Sequence, residues 1–316
     1  MKLAKGTLQK YSIFGILLIL FFSFALFTDS FMKMDNLMNL LVQSTILGIV
    51  GFGLAIIMIA GEIDLSYAGA IPLGGAIFAD MLQKGINLGI ALGTLILVGL
   101  FISLVISQLV TRIKLVSYVT SIAMMFLLQG IWFAYTGGQN IFIKEELNRD
   151  LIFGNLGGVP KIVYLFLIIF VFLYFLTEHT PFGTRLRAVG EDQESVRTMG
   201  VNPTIYKTIA FLIGGLIFSI GAFLSTARMS GALATSGANL LMPVMTIAFV
   251  GQTFLGMGRP NIPGVFLAAL MMAMINNAFV LMRLPFWAVP IANGIILIFA
   301  ISLANIGKRD IIQIRF

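Results

Sequence analysis

The sequence contains no cysteine and a single histidine, His179. The first absence excludes disulfides, thiolate metal sites and cysteine nucleophiles, and leaves the redox compartment open. The second argues against a histidine-ligated metal. Charge is scarce as well: 10% of the 316 residues are charged, 59% are hydrophobic, and the mean hydropathy is +1.02. A soluble domain carries roughly 25% charged residues, so this chain has too few to cover a water-facing surface. No G-x-x-x-x-G-K-[ST] occurs, the nearest piece being Gly307-Lys308-Arg309, so no phosphate-cradling loop is available for ATP hydrolysis. H-E-x-x-H and G-x-S-x-G are missing too, which removes the common hydrolase arrangements.

What is present is a series of ten apolar stretches, at about 11–27, 37–60, 65–83, 86–110, 115–136, 161–177, 207–227, 239–256, 262–282 and 286–306. A helix needs about 20 apolar residues to cross a bilayer. The third and eighth stretches are rich in Gly, Ala, Ser and Pro, which leaves the span count open by one either way. None shows the period-two alternation of a membrane barrel. The expected fold is therefore all-α: a polytopic helix bundle of about ten transmembrane helices, residues 1–316 forming one domain in the plasma or inner membrane. Ser23-Phe24-Ala25 offers a faint signal-peptidase site, but the apolar run that contains it, 11–27, exceeds the ~7–15 residues of a signal core, so an uncleaved first span is expected.

Two polar stretches, 137–160 and 178–206, interrupt the series and fall on opposite sides of the membrane if ten spans begin and end inside. That arrangement puts thirteen of the 20 basic residues inside, among them Lys2, Lys5, Lys10, Arg112, Lys114, Arg185 and Arg315, and seven outside, Lys144 and Arg149 included. Positive-inside bias thus predicts cytoplasmic N- and C-termini, a cytoplasmic 178–206 loop and an extracytoplasmic 137–160 loop. Topology also accounts for most of the net charge of +7 without a nucleic-acid partner.

Two segments carry the polar chemistry. Gly61-Glu62-Ile63-Asp64-Leu65-Ser66 separates two nearly contiguous spans; Gly61 ends one helix and Asp64 or Ser66 caps the next. Glu62 and Asp64 are also the only acids embedded between apolar spans, where acids serve a pathway or find a partner. In 178–206, Pro181-Phe182-Gly183 breaks the preceding span, a short amphipathic helix is expected from Arg185 to Val196, and Gly200 followed by Asn202-Pro203 ends it. Glu191, Asp192 and Glu194 would be repelled by anionic headgroups, so this helix suits a protein partner better than lipid.

Ala188-x-Gly190 followed by Arg197, Gly200 and Asn202 resembles the coupling loop of ABC-transporter permeases for ribose and related simple sugars. The GEIDLS segment resembles that family's GGIDLS signature, and Gly251-x-Thr253-x-Leu255, Gly258, Gly264 and Asn276-Asn277 resemble its later signatures, in the same order and spacing. The resemblance covers about 36–306. This chain departs from it at Glu62, where the signature has glycine, at Glu194-Ser195, where an alanine pair is usual, and at Gln252 and Met257, which interrupt a glycine-rich turn.

The resemblance implies a non-catalytic membrane subunit of a binding-protein-dependent sugar importer, with no cofactor of its own. A cytoplasmic ABC ATPase would hydrolyse ATP, an extracytoplasmic substrate-binding protein would deliver the solute, and a second permease chain, identical or related, would complete the pathway within membrane lipid. Arg187, Gly190, Glu191, Asp192, Arg197 and Gly200 are then the candidates for ATPase coupling, with Glu191 and Asp192 as polar contacts and Gly190 and Gly200 as turns. Gly61, Glu62, Asp64 and Ser66 form the signature turn.

Neutral hydrogen-bonding side chains suit a path that must pass sugar hydroxyls without trapping them, which makes Gln43, Gln252, Asn276, Asn277 and Asn293 pathway candidates, with Ser44 and Gln129 beside them. Each serves equally as an interhelical hydrogen bond. Gly85, Gly89 and Gly93 form a stripe expected to admit a close helix neighbour, and Trp132 and Trp287 are expected at the outer interface. Related permeases for nucleosides, autoinducer-like furanoses or branched-chain amino acids remain alternatives. So do a proton-coupled secondary transporter and a membrane-embedded enzyme using Glu62 and Asp64.

Overall fold

The computed structural model describes residues 15, 17–143, 153–254 and 258–312. Lys144 and Arg149 of the 137–160 loop, Leu255 and Met257 of the later signature, and the terminal Lys2, Lys5, Lys10 and Arg315 lie outside them. Helices dominate because uninterrupted apolar runs satisfy every backbone group within the segment, as a lipid environment requires. They are α1 (Leu17–Phe27), α2 (Met34–Ile59), α3 (Tyr67–Gln83), α4 (Leu88–Thr111), α5 (Ser117–Thr136), α6 (Lys161–Glu178), α7 (Pro181–Glu191), α8 (Gln193–Thr198), α9 (Pro203–Met229), α10 (Ser236–Phe254), α11 (Ile262–Leu281) and α12 (Ala288–Ile312). Among the described residues, each of the ten apolar stretches overlaps one of them. Six, namely α2, α4, α5, α6, α9 and α11, are long and apolar enough to cross a membrane. The protein is a multi-pass membrane helix bundle.

Strand structure among the described residues is confined to two-residue antiparallel pairs. β1 (Ile141–Phe142) pairs with β4 (Gly231–Ala232), and β2 (Asn155–Leu156) with β3 (Val159–Pro160).

The chain divides into two compact units. One comprises Phe52–Gly154 and Phe172–Leu241. Its helices α3, α4 and α9 pack together, and small residues set how closely. A Cβ on Gly215 would lie 2.8 Å from the Gly99 carbonyl and 2.7 Å from Cβ of Ser103, so α4 and α9 touch backbone to backbone. The expected Gly85-Gly89-Gly93 stripe does not do this: a Cβ on Gly85 or Gly93 meets nothing, and one on Gly89 only its neighbour Asn87. Gly85 instead supplies a left-handed turn (φ +73°) between α3 and α4. Trp132 is likewise not an interfacial anchor. It is 1% exposed, because α5 turns that face onto the bundle rather than outward, whereas Trp287 is 54% exposed.

The other unit comprises Met1–Gly51, Asn155–Val171 and Met242–Phe316. Phe21 and Phe24 of α1 pack edge-on or tilted against Phe31, in a cluster with Leu40, Ala273, Met274 and Ala278. Phe166 of α6 stacks on Phe266 of α11 with centroids 5.1 Å apart and fills the space a side chain at Gly48 would need. Helices α10 and α12 are joined at two places seven residues apart on each: Thr246 donates to the Asn293 carbonyl (3.4 Å) and Thr253 to the Ala300 carbonyl (3.1 Å).

Candidate functional site

The 178–206 segment is two helices where one was expected. Thr180 caps α7, accepting from the Gly183 amide at 3.3 Å, and Pro181 occupies the first turn, where its missing N–H costs nothing. Gly183, Leu186 and Val189 form the buried face. The helix then breaks at Asp192, which is extended (φ −156°, ψ 101°) and turns its carboxylate onto the Glu194 and Ser195 amides at 3.1 and 3.2 Å to start α8. A residue whose side chain competes for backbone donors favours a cap over a helix interior, which is why the Arg185–Val196 helix splits there. Gly200 (φ +78°) ends α8, and Asn202 caps α9 through the Thr204 amide at 3.0 Å, with Pro203 in the first turn.

These capping roles revise the coupling candidates. Asp192 shapes the elbow between α7 and α8, and Arg187 pairs with Glu178 at the end of α6. Gly190 is not a turn residue; it lies in the last turn of α7, where its α-carbon meets the backbone of residues 59–61. A Cβ there would run into the Ile59 carbonyl and sit 2.9 Å from the Gly61 nitrogen. Only glycine fits. Glu191, Glu194 and Arg197 are exposed along the elbow, with Met199 beside them at 78% exposure, and Arg197 reaches Glu194 at 3.1 Å.

The signature turn lies against this elbow. Gly61 takes a left-handed conformation (φ +82°) at the end of α2, and a Cβ on it would be 3.0 Å from the Gly190 α-carbon. Glu62 pairs with Lys207 of α9, the two side chains 13% and 7% exposed. The Ile63 amide donates to Ser117 of α5 at 3.2 Å. Of the two capping candidates before α3, Asp64 performs the role: its Oδ1 accepts from the Ser66 amide at 2.8 Å, whereas the Ser66 side chain makes no cap bond. Asp64 is fully buried in this loop, outside the helices, and burial pushes its carboxyl up to about 6 against the opposing pull of its bonds to Ser66. Glu62 and Asp64 therefore do not work as a carboxylate pair: one is held by a cation and the other by the backbone.

All five pathway candidates fall in the unit that includes Met242–Phe316, and every coupling and signature-turn candidate falls in the other. Asn277 is committed to structure, exchanging two hydrogen bonds with Asn36 of α2 at 3.0 and 2.8 Å. Its neighbour Asn276 faces elsewhere, and its buried Oδ1 has no partner among the described residues. Oδ1 of Asn293 is the same, in a residue only 3% exposed. Gln252 is buried beside Gly251, Gln43 and Gln129 are half-buried, and Ser44 bonds back to the Leu41 carbonyl at 2.8 Å. Asn261 caps α11 on the Gly264 amide (2.7 Å) and donates to the Gly251 carbonyl (3.1 Å), so the later glycine signatures mark the close meeting of α10 and α11.

Sequence reasoning missed Lys207, Ser117 and Asn36. Lys207 opens the apolar stretch at 207–227, and a lysine there needs a counter-ion, a signal that points to an acid elsewhere.

Residues 36–302 match the family described as branched-chain amino acid transport system / permease component. The chain belongs to this permease family. It is 26% identical over 297 residues to the ribose import permease protein RbsC of Haemophilus influenzae, covering 92% of each chain. It is 27% identical over 305 residues to the RbsC protein of Bacillus subtilis, covering 94% of this chain and 93% of that one. The L-arabinose ABC transporter permease protein AraH of Azospirillum brasilense is 27% identical over 294 residues, covering 92% and 86%. No solved structure matches. By this membership the chain is a permease component of a transport system.

Proposed function

We propose that this permease is the membrane-spanning subunit of an ATP-driven, binding-protein-dependent importer of a simple sugar such as ribose. The carrying observation is full-length similarity to permeases named for ribose and arabinose. The family's own description names branched-chain amino acids, but the permeases named for ribose and arabinose match along nearly the whole chain. Ten spans, the six long ones plus α1, α3, α10 and α12, put both termini and 178–206 in the cytoplasm and 137–160 outside, all within one permease domain. In this reading the exposed elbow of α7 and α8, with Glu191, Glu194 and Arg197, docks in a cytoplasmic ABC ATPase. An extracytoplasmic binding protein delivers the sugar to a pair of permease chains. The chain itself uses no cofactor.

Asn276 and Asn293, whose amide oxygens have no partner among the described residues, are the best-placed pathway groups; Gln43 and Gln252 supplement them, and Asn277 leaves the set. Transport alternates by rigid-body motion as the ATPase closes. The proton-coupled alternative is not favoured, because the ribose and arabinose relatives are named as import and ABC-transporter permeases. Vesicles holding the permease, its partner ATPase and binding protein should accumulate labelled ribose only with ATP inside, and should do so after the proton gradient is collapsed. Uptake by the permease alone, or uptake abolished by a protonophore, would overturn this function; leucine uptake in place of ribose would reassign the solute.

A further inference from the structure

Three elements near the coupling elbow touch each other pairwise and so close a triangle. The 60–66 loop meets α7 where Gly61 and Gly190 press backbone to backbone. Helix α7 meets α9 where Arg185 donates to the Tyr206 hydroxyl at 3.0 Å and Phe182 stacks on the Tyr206 ring with centroids 5.6 Å apart. Helix α9 meets the loop through Lys207 and Glu62. Two elements joined at one contact can pivot; three joined pairwise cannot. The other cation of α7 is not available to replace Lys207, since Arg187 is paired with Glu178. The loop is anchored in turn to α5 by the bond between the Ile63 amide and Ser117. The Gly61–Gly190 side of the triangle uses glycines of the signature and coupling loop, whereas the Glu62–Lys207 side is added where the signature has glycine.

We propose that Glu62 and Lys207 are positioning residues for transport: their ion pair closes the triangle, so that the loop, α7 and the base of α9 move as one rigid lever between the ATPase and the membrane helices. This rests on the permease function proposed above. The pair stays shut throughout the cycle. Removing it leaves the elbow able to dock but free to swivel, so ATP is hydrolysed without the helices following.

The test uses the reconstituted complex with partner ATPase and binding protein, and reads sugar moved per ATP hydrolysed. A variant carrying both Glu62→Gln and Lys207→Met removes both charges together and so leaves neither buried and uncompensated. It should retain ATPase association and lose about tenfold in sugar per ATP, and the exchange Glu62→Lys with Lys207→Glu should restore at least half. Because the chain has no cysteine, Glu62→Cys with Lys207→Cys gives a second arm that does not depend on the first variant folding. Joined by a short bis-methanethiosulfonate, this variant should transport at a near-normal ratio and lose it on reduction. An unchanged ratio in the neutral variant, or transport blocked by the cross-link, would overturn the lever while leaving the permease function intact. Absence of ATP-dependent uptake by the unmodified complex would overturn both.

Discussion

Asn36 and Asn277, 241 residues apart, exchange amide hydrogen bonds in both directions and join α2 to α11 inside an apolar bundle. Asn36 also donates to the Phe31 carbonyl at 2.9 Å, which helps to fix its orientation. Replacing either with Leu should strand the other amide and destabilise the folded protein by roughly 1–2 kcal/mol, as for other buried interhelical hydrogen bonds. The double Leu variant should cost less than the sum of the two singles, read as a double-mutant cycle from thermal unfolding in detergent. Strict additivity would mean that the pair makes no net contribution.

The adjacent amide behaves differently. Among the described residues, Asn276→Ala and Asn293→Ala remove no hydrogen bond from the side-chain oxygens, so thermal stability should change by about 1 kcal/mol or less. Uptake rate in reconstituted vesicles should fall several-fold. Normal uptake in both variants would remove them from the pathway.

Gly190→Ala should be among the most damaging single-methyl changes in the chain, because the new Cβ meets backbone atoms of residues 59–61 that cannot swing aside. A loss of about 3 kcal/mol or failure to accumulate in the membrane is expected. Gly93→Ala adds the same methyl group to open space on α4 and should be neutral or slightly stabilising, since alanine favours helix over glycine by up to about 1 kcal/mol. Membrane expression and melting temperature of the two variants, compared side by side, decide the matter.

Asp192→Ala removes the cap of α8 and should cost about 1 kcal/mol locally, with Asp192→Asn or Asp192→Ser recovering most of it. Amide hydrogen exchange over 193–198 should accelerate in the alanine variant while α7 keeps its protection. Equal acceleration in both helices would show that the elbow unfolds as one piece.

The Asp64 carboxyl titrates higher folded than unfolded, so it favours the folded state most below about pH 4 and loses that contribution as pH rises through about 6. Melting temperature should therefore decline across this interval. Asp64→Asn, which keeps an acceptor for the Ser66 amide, should flatten that part of the profile; an unchanged slope would place its origin in other carboxylates.

Composition and long apolar runs were enough to show a helical membrane protein, because a backbone in lipid has few ways to satisfy its polar groups. Local rules also placed the breaks: Gly61, Pro181-Phe182-Gly183, Gly200 and Asn202-Pro203 act within a few residues of where they stand. A cap at Asp64 or Ser66 and a stop at Gly200 were legible for the same reason, and the structure chose Asp64. The partners were not. Nothing local tells Lys207 that its counter-ion lies at Glu62, that Asn277 rather than Asn276 will be consumed by Asn36, or that Gly99 and Gly215, rather than the regular Gly85-Gly89-Gly93 stripe, will carry the tight helix crossing. Each depends on which face of one helix meets which face of another. In an apolar bundle where every face is greasy, hydrophobic periodicity does not encode that choice, and close packing of small residues together with the pairing of buried polar groups makes it.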